Sequence, residues 1–158
     1  MKFFAFFLSI SIVFSLFSCQ LEEPEGDVVT LLAGENLVAW RVAAGKVKIE
    51  GAEIDVVGAQ NPCVLDNQVI LYADGRFELS EGQSTCQAGD PALIYSGRWS
   101  YNPESRAMTI DRFTFLSIVI EQPTFTIQQI NEDSFTGTTQ VTFQGETVQA
   151  EISFSRVK

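Results

Sequence analysis
Through most of this chain apolar and polar residues alternate, and a period of two marks a strand with one buried face. In "VAWRVAA", residues 38–44, Val38, Trp40, Val42 and Ala44 share one side. Gly45 and Gly51 then divide the next stretch into "KVKIE" and "AEIDVV". "NPCVLDN", residues 61–67, is turn chemistry with a cysteine inside it. "QVILYADGRFELSEG", residues 68–82, predicts a hairpin: an apolar run, Asp74 and Gly75 as a type I′ turn signal, then Phe77 and Leu79 in alternation. "SGRWSYNPESRAMTID" repeats the idea, with Trp99 and Tyr101 on one arm, Met108 and Ile110 on the other, and a turn over residues 102–105. The run "RFTFLSIVI", residues 112–120, predicts one strand buried on much of both faces. After Pro123 come "TFTIQQI" and "SFTGTTQVTFQ", joined at "NED". A turn at Gln144, Gly145 and Glu146 leads into the last strand, where Val148, Ala150, Ile152, Phe154 and Arg156 point one way. Ahead of all these, "DVVTLLAGE", residues 27–35, reads as a helical turn: Val28, Leu31 and Leu32 share a face and Gly34 stops it.

These elements amount to eight to ten short strands, one small helix and no internal repeat, hence an all-β domain over residues 28–158. A meander of that length either exposes edges or closes on itself, and closure removes them. A small antiparallel up-and-down barrel is therefore expected, with a two-sheet β-sandwich as the alternative.

The start of the chain follows a different pattern. Residues 3–17 are almost wholly apolar, flanked by Lys2 and diluted by Ser9, Ser11 and Ser15. Fifteen residues are too few to cross a bilayer, which needs about 20, but suit the apolar region of a secretory signal. The run ends Leu16, Phe17, Ser18, Cys19, which resembles the lipobox of bacterial lipoproteins. That resemblance implies removal of residues 1–18, acyl chains such as palmitate on Cys19, and attachment to a membrane. The following Gln20, Leu21, Glu22 and Glu23 resemble the acidic export tag of surface lipoproteins of Gram-negative bacteria. The expected location is the outer membrane, surface-exposed. Residues 19–27 also read as an acidic, flexible tether.

Charge then limits the partners. All twenty acids but only nine of the ten bases lie beyond residue 18, leaving the mature chain at −11. Such a surface repels phosphate backbones, so nucleic acid is not an expected partner. With Cys19 lipidated, Cys63 and Cys86 remain, in a compartment where disulfides persist. A bridge closing roughly two dozen residues would constrain the unfolded chain by about 3–4 kcal/mol. Zinc is the competing reading, but two thiols without a histidine make a poor tetrahedral shell.

Taken together, "LLAGENLVAWRV", "CVLDN" before an aromatic residue and "DGRF", the second cysteine and "GRW" are similar to the lipocalin-like lipoproteins of Gram-negative bacteria, from about residue 31 to 108. The resemblance implies a lipocalin-like barrel and a Cys63 to Cys86 bridge. Lipocalins carry Gly-x-Trp on the first strand, whereas here it occurs mid-chain at Gly97 and Trp99. They also stack the first-strand tryptophan on an arginine of the last strand, a role open to Trp40 and Arg156. Arg156 as a frayed terminal residue in water is the alternative.

The absence of histidine removes Ser-His and Cys-His nucleophile pairs and most catalytic metal sites. No phosphate-binding glycine loop or calcium loop is present. Glu78 and Glu81 are the nearest approach to a carboxylate pair, but Glu78 alternates away from Phe77 and Leu79 toward solvent. A non-enzymatic protein is expected, without cofactor, metal or catalytic residues. Of two binding roles, the first is the expectation and the second its alternative. In the first, the barrel holds a small apolar or amphipathic ligand against Trp40, Tyr72, Phe77, Trp99 and Tyr101. In the second, the barrel is solid and its loops, residues 57–66 and 82–96, recognise a protein or glycan at the cell surface.

Overall fold
The computed structural model describes residues 27–158 apart from 59, 116, 117 and 144. The expected signal sequence, Cys19 and all but the last residue of the expected tether therefore lie outside the described residues. The described chain is all-β with two short helices. α1 (Val28–Ala33) leads into β1 (Leu37–Ile49) and β2 (Ala52–Asp55). α2 (Pro62–Leu65) precedes β3 (Gln68–Tyr72), β4 (Arg76–Ser80) and β5 (Leu93–Asn102). Then follow β6 (Ala107–Ile110), β7 (Arg112–Phe115), β8 (Ile118–Glu121), β9 (Thr124–Ile130), β10 (Ser134–Phe143) and β11 (Glu146–Arg156).

Eight strands close in the order β1, β3, β4, β5, β6, β9, β10, β11, with β11 returning to β1. The closing ladder is antiparallel and long, pairing Trp40 with Arg156 and Lys48 with Gln149 at its two ends. Closure decides between the barrel and the sandwich. β2 pairs with residues 46–49 of β1, on the side that β3 leaves free beyond Trp40. β7 and β8 form a separate two-stranded sheet.

Three local expectations are corrected. Gly45 does not interrupt β1, which absorbs a bulge between Val42 and Ala44 and stays paired with β11 from Trp40 to Lys48. The turn of the β3–β4 hairpin is not type I′: of its central residues only Gly75 has positive φ, +81°, and its N–H donates to Tyr72 O at 3.0 Å. That is the geometry of a three-residue loop with glycine in the left-handed position. The run over residues 112–120 is not one strand but the β7–β8 hairpin.

Antiparallel pairing sends the connections to two ends. One end carries α1, the short turns after β3, β5 and β9, and the C-terminus. A six-residue helix is too short to hold itself. α1 is fixed by its Asp27 cap, by complete burial of Leu32 and Ala33, and by Trp40, whose Nε1 donates to Leu32 O at 2.8 Å. The helix thus stops the barrel while the indole satisfies a helix-end carbonyl. The opposite end gathers the β1–β2 turn, α2, the long loop after β4 and the β7–β8 hairpin.

Candidate functional site
Inside the barrel, five aromatic rings form one connected series of contacts. Trp40 meets Phe135 edge-on at 4.9 Å, and Phe135 stacks on Phe154 at 4.4 Å. Phe154 in turn contacts Phe125 at 5.9 Å and Phe113 at 6.0 Å, and the last two meet edge-on at 5.6 Å. Phe113 comes from β7, so the hairpin turns an aromatic side chain into the barrel. All of these rings are at most 2% exposed.

Of the residues expected on a ligand-facing wall, Trp40 and Phe77 are fully buried in this core. Trp99 is also inside, its Nε1 donating to Tyr72 O at 2.8 Å. Tyr101 is half-buried against the core toward the α1 end. Tyr72 faces outward, because alternation along β3 turns Val69 and Leu71 inward. Its hydroxyl donates to Glu78 Oε2 at 2.9 Å, and Arg76 lies over its ring at 4.1 Å. The bond to the Glu78 carboxylate raises the pKa of the Tyr72 hydroxyl. Trp40 and Arg156 are cross-strand partners, but the indole packs on Phe135 while the exposed Arg156 guanidinium donates to Glu132 O at 3.2 Å. Among the described residues the guanidinium-on-ring contacts are instead Arg76 on Tyr72 and Arg112 on Tyr95.

The opposite end is built differently. The Cys63–Cys86 disulfide ties α2 to the loop between β4 and β5, with Cα atoms 5.2 Å apart. A second tie lies beside it. Asp66 Oδ2 accepts from Gln83 N at 3.1 Å, Ser84 N at 2.9 Å and Ser84 Oγ at 2.7 Å. With its amide oriented to suit its neighbours, Asn67 donates to both Glu81 Oε2 and Cys63 O at 3.1 Å. Asp66 Oδ1 is buried and meets no donor among the described residues.

Desolvation raises the Glu81 carboxyl above its ordinary pKa, and the charges of Asp90 and Asp66 push it further. A carboxyl raised on folding binds its proton more tightly in the native state. Its cost is therefore absent below the ordinary carboxylate value, grows as pH rises through the raised value, and is constant above. Glu81→Gln is expected to stabilise the protein at about pH 7, with the gain shrinking toward about pH 4. Paired urea titrations at the two pH values measure this, and a gain independent of pH would contradict the assignment.

Between the loop and the hairpin the barrel wall is incomplete. β5 and β6 pair from Asn102 with Ala107 to Trp99 with Ile110. One residue further, Asp111 N donates to Arg98 O at 3.0 Å, but Arg98 N donates to Asp111 Oδ2 at 2.7 Å. The Asp111 carbonyl is taken by Gln122 N at 2.9 Å. A side-chain carboxylate thus replaces the next rung, and the chain leaves the wall as β7. Gly97 makes room for this, since a Cβ there would lie 2.6 Å from Asp111 Oδ2 and 2.9 Å from Asp111 Cβ. The Gly97 and Trp99 motif therefore has a structural reason unrelated to the first strand. Arg112 bridges the gap, 4.7 Å over the Tyr95 ring and 2.7 Å from Glu121 Oε1.

Several large apolar residues are exposed around this end: Ile54 on β2, Leu93 and Ile94 at the start of β5, and Val119 on β8. The sequence reading passed over them and over Tyr95, Asp111 and Arg112. The visible signal was the chargeless segment "LIYSG" following a long loop. A half-open groove of about 160 Å³ on the outer wall is lined by Lys46, Lys48, Glu53, Thr138, Gln149 and Glu151, together with Val47. Its two cations face two carboxylates, and Lys46 pairs with Glu53 at 3.5 Å. Among the described residues no three metal-ligating side chains come together. Compared with protein-family models and with curated proteins, the chain matches none, and its functional reading rests on this geometry.

Proposed function
We propose that the protein is a lipid-anchored recognition module of the cell envelope. In it a filled, lipocalin-like barrel holds out a disulfide-stapled loop end to a protein or glycan. The observation that carries this reading is the continuous contact of rings from Trp40 through Phe135 and Phe154 to Phe113. A barrel of eight strands either encloses one small ligand or fills its interior with side chains. The ring contacts favour the second case, so recognition passes to the outside. The loop end is suited to it: two independent ties hold its backbone, and apolar and charged groups stand exposed around it. On this reading Cys19 carries the lipid and the domain works at the surface of the outer membrane, by binding rather than by catalysis.

The test uses the Cys19→Ala chain, which cannot be acylated, titrated with a fluorescent fatty-acid analogue while Trp40 and Trp99 emission is followed. No saturable quenching is expected. Saturable one-to-one binding at about micromolar affinity would return the interior to use as a ligand site and overturn the reading.

A further inference from the structure
We propose that the free edge of β5 over residues 93–96 is a docking strand for an extended, cationic segment of another protein, which adds to the barrel wall by main-chain pairing. The inference rests on the recognition reading above and names the partner class for it.

The main chain carries the first part of the argument. On β5, Trp99 bonds toward β4, donating to Gly75 O at 3.0 Å, while Arg98 bonds toward β6. Alternation then turns the N–H and C=O of Ser96 to the same side as those of Arg98. Among the described residues no strand pairs with β5 on that side beyond Arg98: β6 has left the ladder, and β7 pairs with β8. The Asp111 carboxylate ends the ladder and keeps β7 from resuming it. Ser96 is exposed, as are Leu93 and Ile94 at 48% and 39%.

The side chains carry the second part. Edges of soluble sheets are ordinarily guarded by charge, proline or a bulge that turns the strand away. β2, the other edge strand at this end, carries Glu53 and Asp55. Residues 93–97, "LIYSG", hold no charge and no proline, and the one irregularity, a bulge at Ile94 opposite Leu79 and Ser80, lies beyond Ser96. The far part of β10 also extends beyond its pairing with β9, but its outward residues Gln140 and Thr142 are polar. β5 thus joins unpaired main chain to exposed apolar side chains, the combination that strand addition uses for affinity and for side-chain selection.

Charge selects the occupant. Glu78 is the β4 partner of Ser96, and Glu81, just beyond β4, feels the charges of Asp90 in the adjoining loop and of Asp66 at the end of α2. The nearby cations are engaged: Arg112 with Glu121 and Tyr95, Arg98 with Asp74 O. A second copy of this chain would bring its own negative charge to the edge, whereas a segment alternating apolar with basic residues would relieve the repulsion.

The experiment titrates the Cys19→Ala chain with a short peptide alternating valine and lysine. The same peptide with glutamate for lysine, and the lysine peptide N-methylated on its pairing edge, serve as comparisons. The lysine peptide is expected to bind and to protect the Ser96 amide from hydrogen exchange, with both comparison peptides weaker by about tenfold or more. Ser96→Pro removes an N–H that alternation turns away from β4, toward no strand among the described residues, so it should abolish binding and leave the unfolding midpoint near wild type. Ile94→Lys guards the edge without touching the backbone and should weaken binding as well. Binding that survives both variants, insensitivity to N-methylation, or no binding of the lysine peptide would each overturn the proposal. So would concentration-dependent dimerisation removed by Ser96→Pro, which would make a second copy the occupant. The fatty-acid titration reports on the interior and the peptide on the edge, so either reading can fail without the other.

Discussion
Phe154→Ala is expected to lower the free energy of unfolding by about 3–5 kcal/mol, the usual range for truncating a buried phenylalanine. The reason is its position. Phe154 is 2% exposed and touches Phe113, Phe125 and Phe135, three rings from three different strands. It also sits on the seam that closes the barrel, opposite Val42 on β1 and Phe135 on β10. Truncation removes the ring and leaves its neighbours without a common partner, because walls fixed by hydrogen-bonded ladders cannot collapse inward to fill the space. A domain of this size has about 5–15 kcal/mol in total, so the loss is a large part of it. Urea denaturation at constant slope measures the change. Phe154→Leu, which keeps much of the volume, should cost clearly less. A loss below about 1 kcal/mol for the alanine variant would mean that the rings are loosely held. That would also undercut the filled-barrel reading.

The second large effect is expected from the staple. Replacing Cys63 and Cys86 together by serine should cost about 3–4 kcal/mol, because the bridge restricts a loop of roughly two dozen residues in the unfolded chain. The oxidised protein should show neither thiol to titration, and the double variant should keep its core, since the ring cluster draws on β1, β7, β9, β10 and β11 and on neither α2 nor the stapled loop. Asp66 sets how the loss divides. Its three hydrogen bonds hold residues 83 and 84 to the end of α2 without the disulfide. The loop should therefore remain near its place in the folded state, and the loss should come mainly from the unfolded ensemble. Hydrogen exchange at Gln83 and Ser84 distinguishes the cases: protection retained in the variant supports the division, and protection lost would assign the positioning to the bridge itself.

The barrel was legible because its inward residues alternate without exception over long stretches, as along β11 from Val148 to Phe154. The hairpin of β3 and β4 could be read from the glycine that its turn demands. Where the reading failed, the cause was local. The β7–β8 hairpin turns without a glycine or proline in "RFTFLSIVI", so an apolar run could not be told from one strand. Tyr72 resembles a wall residue in composition, and only the register of β3 turns it outward. The unpaired edge could not be foreseen, because it depends on Asp111 placing a carboxylate where a carbonyl would continue the ladder. That is a competition between side chain and main chain, and no periodicity records it.

The placement of α1 sets a distance. The chain enters at the end stopped by α1, and its C-terminal strand returns there, with Val157 N donating to Ala39 O at 2.9 Å. The disulfide and the unpaired edge of β5 lie at the far end. The ten residues of β10, at about 3.3 Å each and tilted by about 40°, span about 25 Å along the axis. The barrel is therefore a spacer between two unlike ends: along its axis the edge of β5 at residues 93–96 stands about 15–23 Å from the turn after Asn102, at the end that α1 stops.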